Sequence, residues 1–308
     1  MKKFLFLGIA ATAMFASCTN DEMVEMNPQN AIGFETFVDK STRATDVLES
    51  TLDAFKVWAY QGTTAILTGE EVTKSGSDWG YTNTQYWVKD QTYNFHAIAP
   101  VICERGDSYT YNGTSAAPSI QFTNSVGLTD LIYASVSRPC TNPADEDEVE
   151  LTFKHLLSRV RFNFTESFPN DQITVQVTDL KITGAISAGT YNGSAWTFES
   201  TPETATYSFD GAHATAWTTE AISNHLYFIP TTQDFTISFT VTAYQAGKQF
   251  ATKSHSVQIT NQNMGAGSSY EYKLEFNAGN VSEDLLYPIE FTVTEVTEWD
   301  EDNWITIP

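Results

Sequence analysis

The sequence predicts an all-β protein made of sandwiches with Greek-key-like connections, and three observations lead there. Segment after segment repeats with a period of two, the signature of half-buried strands. Thr, Tyr, Phe, Val and Ile dominate those segments, as expected where branched and aromatic side chains cover a pleated surface. Turn signals such as "NG" at Asn112 and Asn192, "SGSDWG" and "NMGAGSS" separate them at short intervals. No long stretch combines helical spacing with caps.

At the N-terminus, Lys2 and Lys3 precede an apolar run from Phe4 to Ala16, too short for the ~20 residues that span a bilayer. The run reads as a leader, residues 1–17, and its end, "MFASC", resembles a bacterial lipobox. That resemblance implies cleavage before Cys18 and a lipid anchor on its thiol, palmitate included; several acyl chains on one residue make such anchoring stable.

Next comes "NAIGFETFVDKSTRATD", Asn30 to Asp46, which alternates like a strand and ends around Arg43, the first arginine of the chain. Ile32, Phe34, Thr36 and Val38 share one face. The polar stretch about Arg43, with small neighbours, is readily reached by a protease.

In the body, "TYNFHAIAP" places Tyr93, Phe95 and Ala97 on one face, "DQITVQVTDLKI" places Ile173, Val175 and Val177 together, and "DFTISFTVTAY" does so for Phe235, Ile237, Phe239 and Val241. "VELTFKHLLSRVRFNF" is harder, because Leu151, Phe153 and His155 share one parity and Val160, Phe162 and Phe164 the other. A β-bulge near Leu156 or Leu157 would keep one face buried through the shift; a short helix using Phe153, Leu156, Leu157 and Val160 is the rival. The acidic run "ADEDEVE" before it reads as a solvated loop or junction, since it lacks the glycine and spaced oxygens of a calcium loop. At the far end, Ile289, Phe291 and Val293 share one face, and "IEFTV" repeats the I-x-F-x-[T/V] pattern of "IGFET".

The charge, 16 basic against 38 acidic residues for a net −22, excludes nucleic acid as a partner. A hydrophobic fraction of 41% with 13% aromatics is ample for a core. Cys103 and Cys140 are the thiols left beside Cys18, and export permits a disulfide between them. No GxSxG, GxxxxGK[ST] or HExxH appears, the five histidines lack metal-ligand spacing, and the thiols form no CxxC. We therefore expect no enzyme, no metal and no cofactor. Trp79, Tyr81, Tyr86 and Trp87 cluster in a Gly- and Asn-bearing region and are the candidates for a sugar-stacking platform.

The stretches "QYWVKDQTYNFHAIAP", "TDLIYAS", "VELTFKHLLSRVRF", "LYFIP" and "MGAGSSYEYKLEF", in this order between the leader and "IEFTVTEVTEW", resemble the fimbrillin family of Bacteroidetes, which includes type V pilus subunits. The resemblance implies two transthyretin-like β-sandwich domains. Residues 18–43 would carry the lipid anchor and a removable first strand, 44–148 the first domain, and 149–308 the second domain with a terminal donor strand. It also implies a lipoprotein of the outer membrane and cell surface, cut between Arg43 and Ala44 by an Arg-specific protease. The strand bearing Ile32, Phe34, Thr36 and Val38 then leaves, and a neighbouring subunit's strand bearing Ile289, Phe291 and Val293 takes its place, giving a fimbrium that supports cell adhesion. The alternative is a monomeric surface lipoprotein that binds glycans through its exposed aromatics.

Overall fold

The computed structural model describes residues 30–38, 51–168, 173–209, 220–281 and 291–296. Its architecture is all-β, as predicted. The first half is one sheet of seven strands: β1 (Phe34–Val38), β2 (Ala54–Gln61), β3 (Thr64–Ser75), β4 (Asp78–Gly80), β5 (Gln91–Ala99), β8 (Ile132–Cys140) and β9 (Val149–His155), in the order β1-β9-β8-β5-β2-β3-β4. The period-two pattern is its cause: Tyr93, Phe95 and Ala97 of β5 all point inward and are buried, joined by Phe55, Val57, Leu151 and Phe153. The sheet curls until the segment after β4 meets β1, so a single sheet encloses this core.

The second half is a sandwich. One sheet holds β10 (Ser158–Glu166), β15 (Glu220–Ile222), β16 (Leu226–Phe228), β19 (Ser269–Phe276) and β20 (Thr292–Val296). Facing it, β14 (Thr204–Ser208), β11 (Ile173–Ile186), β17 (Thr232–Gln245) and β18 (Lys248–Asn263) lie in the order β14-β11-β17-β18. Phe162, Phe164 and Tyr272 from the first sheet meet Val175, Val177, Ile237 and Phe239 from the second in one core.

A seam joins the halves. β6 (Ser108–Tyr111), β7 (Ile120–Thr123), β12 (Ala188–Tyr191) and β13 (Trp196–Thr197) form a sheet in the order β13-β12-β7-β6, with β7 and β12 drawn from opposite halves. A third core, including Ile98, Tyr133, Leu156, Leu157 and Tyr227, lies beside it. The buried Asp107 carboxylate holds the loop after β7, accepting bonds from the amides of Ser125 (2.7 Å), Val126 (3.0 Å), Leu128 (3.2 Å) and Thr129 (3.0 Å). That loop reaches across the seam: Asn124 donates to the Tyr227 carbonyl at 2.7 Å, and the Tyr207 hydroxyl donates to the Asn124 carbonyl at 2.7 Å.

Two expectations for the segment 149–164 need correction. Its parity shift is neither a bulge nor a helix but a change of sheet: β9 pairs with β1 and β8, and after Leu156 and Leu157 the chain continues as β10 in the next sheet. Backbone pairing therefore changes over at Leu156–Leu157, and Val149–His155 is bonded into the first half. A bulge does absorb a parity shift in β11, where pairing slips between Thr178 and Lys181 around Asp179 at φ 54°.

Candidate functional site

The first strand lies in a groove at the edge of the seven-stranded sheet. β1 pairs with β9 in parallel, Phe34 opposite Val149 through Val38 opposite Phe153. Alternation sends Ile32, Phe34 and Thr36 inward, where they are 2%, 1% and 5% exposed, while Glu35 and Phe37 face outward. Val38 packs half-buried against the same core. The Phe34 ring sits 5.9 Å from Phe55, 5.9 Å from Phe95 and 5.5 Å from Tyr81. All four residues expected on one face thus line the inside of the groove.

The opposite wall is the segment that follows β4. Ile32 donates its amide to the Gln85 carbonyl at 2.9 Å, and Trp87 donates its amide to the Asn30 carbonyl at 2.9 Å. The Tyr81 hydroxyl donates to the Ile32 carbonyl at 2.9 Å and accepts from the Gln85 amide at 3.1 Å. Burial raises the Tyr81 phenol above its ordinary value, keeping it a neutral donor. On the other wall Val149 donates to the Gly33 carbonyl at 2.8 Å. A side chain on Gly33 would come within 3.0 Å of Glu148, so the glycine permits this close approach.

This geometry replaces the sugar platform expected of Trp79, Tyr81, Tyr86 and Trp87. Trp87 is 3% exposed, edge-on to Tyr93 at 4.7 Å, and the Arg138 guanidinium lies 5.7 Å from its ring. Trp79 packs on Phe55 at 5.1 Å, Tyr81 on Phe34, and Tyr86 bridges to Ala31. The four build the core and the clamp on β1, and present no continuous exposed face.

At the other end of the chain, β20 is the edge strand of its own sheet, antiparallel to β19 with Val293 opposite Tyr272. The Phe291 ring lies 5.8 Å from Phe162, 6.0 Å from Tyr272 and 6.1 Å from Phe239, half-buried against the second core. β1 and β20 therefore occupy edges of different sheets. Cys18, Arg43, Ala44 and Ile289 lie outside the described residues.

Cys103 and Cys140 are both free, so the disulfide that export would permit between them is not formed. Cys140 pairs with Gln91 at one end of β5, while Cys103 follows Ala99 at the other. At ~3.3 Å per residue β5 spans roughly 26 Å, and the short link from Ala99 recovers at most about 14 Å of it. A disulfide needs the Cα atoms within about 7 Å.

The clamp and the Asp107 loop carried no local signal in the sequence. Tyr81 meets Ile32 across 49 positions, and a lone aspartate among many gives no sign of four amide partners.

Comparison with known proteins bears on this arrangement. The profile of the fimbrillin-like family matches residues 42–299. β1 lies just ahead of that span, and the groove that holds it lies within. Among curated proteins, fimbrium subunit Fim1C of Phocaeicola vulgatus is 29% identical over 185 residues, 50% of this chain and 49% of that protein, so the match spans about half the length of that relative. Among solved structures, a fimbrial protein from Bacteroides vulgatus has a TM-score of 0.59 at 17% identity, covering 88% of this chain and 99% of that one. A candidate cell adhesion protein from Bacteroides ovatus has a TM-score of 0.51 at 12% identity, covering 90% and 99%. With the matched profile extending over most of its length, the chain belongs to the fimbrillin-like family.

Proposed function

We propose that this chain is a structural subunit of a surface fimbrium, exported as a lipoprotein acylated at Cys18, cut between Arg43 and Ala44 by an Arg-specific protease, and polymerised by strand exchange. The observation that carries the reading is the seating of β1. It is an edge strand whose Ile32 and Phe34 are almost wholly buried, held between β9 and the Tyr81–Trp87 clamp. Burial of those two side chains contributes about 3–6 kcal/mol, and its loss would leave apolar walls and unpaired β9 amides facing water. An incoming strand of like pattern restores both.

Strand direction supports the C-terminal segment as that replacement. β1 runs toward the seam from the pole where Asn30 meets Trp87, and β10 runs from the seam to the opposite pole. β20 pairs from Thr292, opposite Lys273 partway along β19, and runs back toward the seam. A β20 that peels away from β19 would project beyond its own subunit and enter the next groove at the Asn30 pole, running parallel to β9 as β1 does. Subunits would then join head to tail, with Ile289, Phe291 and Val293 filling the places of Ile32, Phe34 and Thr36 or their neighbours. Retention of both a removable strand and a tail fits a stalk or accessory position. Such a polymer supports adhesion at the cell surface, the lipid holding the subunit to the outer membrane before cutting.

The test is to incubate the purified protein with a trypsin-like protease, sequence the new N-terminus and look for SDS-resistant ladders. The expected result is an N-terminus at Ala44 and a ladder that disappears in an Ile289→Asp, Phe291→Asp, Val293→Asp variant whose uncut monomer keeps its circular dichroism. Ladders of normal length from that variant would overturn the donor assignment, and cut protein that stays monomeric would overturn strand exchange.

A further inference from the structure

The outer face of the seven-stranded sheet carries a second concave site, distinct from the groove. Near the seam this face is covered by the third core, through Ile98 and Tyr133. Farther from the seam it is open, and β5 and β8 set His96 opposite Ser135 and Asn94 opposite Ser137. The tips of the β6–β7 and β12–β13 hairpins flank these four side chains and border an open cleft of about 350 Å³, toward the small end of the ~300–1,000 Å³ usual for ligand sites.

The walls are fixed before any ligand arrives. Asn94 donates its amide to the Ser115 hydroxyl at 2.9 Å, Ser115 donates in turn to the Gly62 carbonyl, and the Tyr60 hydroxyl donates to the Gly113 carbonyl at 3.0 Å. The β12–β13 tip meets the β6–β7 tip at Pro118: a Cβ on Gly193 would fall 2.6 Å from the Pro118 Cγ, and one on Gly113, in the same tip as the proline, 2.8 Å from its Cα. Gly193, at φ 97°, is what lets the β12–β13 tip approach the proline so closely.

The polar groups are arranged as a relay. His96 Nε2 faces the Ser115 carbonyl at 3.2 Å and so carries the ring proton, leaving Nδ1 to accept from the Tyr133 hydroxyl at 2.7 Å. Ser135 lines the cleft two residues on from Tyr133, exposed, and its hydroxyl can donate and accept. Burial lowers the His96 pKa, which keeps this tautomer uncharged at neutral pH. Asn94 has spent one amide N–H on Ser115 and keeps the other together with its carbonyl oxygen. Asn192 has spent its oxygen on Ser194 and Ala195 and keeps its amide. Ser137 can both donate and accept.

We infer that this cleft binds a neutral saccharide. Asn94 with one N–H and its oxygen, Asn192 with its amide, and two-way hydroxyls at Ser135 and Ser137 line one small volume, and the group that satisfies such a mixture of donors and acceptors is itself both, a hydroxyl. The lining contains no ion pair and no formal charge, in a chain of net charge −22. Cationic ligands therefore find no local counter-charge there, and anionic ones meet a repulsive field. The inference does not depend on strand exchange.

The test uses the uncut chain, ¹⁵N-labelled, titrated with lactose, maltose, mannose and N-acetylglucosamine, with sialyllactose as the anionic counterpart. At least one neutral sugar is expected to shift the amide signals of Ser135, Ser137 and Asn192. That shift should be lost in Ser137→Trp, which fills the cleft from an exposed position, and reduced in Ser135→Ala, while sialyllactose binds more weakly than lactose. Shifts confined to other regions, undiminished binding by Ser137→Trp, equal binding of the anionic sugar, or no shift with any neutral sugar would each overturn the assignment.

Discussion

Replacing Phe34 by alanine should loosen the first strand while leaving the rest of the protein folded. The ring is 1% exposed and contacts Phe55, Phe95 and Tyr81, so its removal leaves a cavity inside the groove. A buried Phe→Ala change costs about 3–5 kcal/mol. Because β1 is an edge strand paired with β9, that loss falls on the local opening of β1 before it falls on global unfolding. At about 1.4 kcal/mol per tenfold, the fraction of molecules with an open groove should rise roughly a hundred- to several-thousand-fold. Native-state hydrogen exchange measures it directly. Amides of β1 and of β9, Val149 among them, should exchange faster by that factor, and amides of β11 and β17 in the second half should keep their rates. Unchanged protection in β9, or equal acceleration in both halves, would refute the reasoning, since either result would mean that β1 does not open as a separate unit.

Two further changes probe other parts of the structure. Asp107→Ala removes four charge-assisted hydrogen bonds to the loop 125–129 and should destabilise the seam by about 3 kcal/mol or more; calorimetry should show a lowered or divided transition, and an unchanged melting curve would deny Asp107 that role. Burial pushes the thiols of Cys103 and Cys140 each up to about 11. The folded state then favours the protonated thiols, so their contribution is complete below the unfolded value and is lost as pH rises from about 8.5 toward 11. Native protein at pH 8 should resist iodoacetamide, and denatured, unreduced protein should take up label on both residues; a denatured sample in which these two stay unlabelled until reduction would restore the disulfide.

How much of this was legible in the sequence depends on the distance over which each feature is determined. The inward faces of β5, β11 and β17 follow from alternation within a few residues, and Val175, Val177, Phe235, Ile237, Phe239 and Val241 are buried as that alternation requires. The inward face of β1 is legible for the same reason. Parity shifts are visible but ambiguous: the one at Leu156–Leu157 marks a change of sheet and the one at Asp179 a bulge, and strand neighbours distinguish them where local pattern cannot. Aromatic clustering was visible too, yet whether Trp87 faces water depends on Arg138 and Tyr93 arriving from other strands. The cysteines left pairing open, because export licenses a bond that the length of β5 forbids. The cleft beside the hairpin tips had only its two "NG" turns as a sign, and those mark a bend without saying what the bend borders.

The four-stranded seam has a mechanical meaning. Because β7 and β12 come from opposite halves and exchange main-chain hydrogen bonds along Ile120–Thr123 and Ala188–Tyr191, a pull that drew the halves apart would have to rupture that ladder, and Asn124 with its links to Tyr207 and Tyr227 would have to yield as well. Two beads on a slack string would lengthen under tension before bearing it. This chain would instead pass the pull from end to end as a stiff strut.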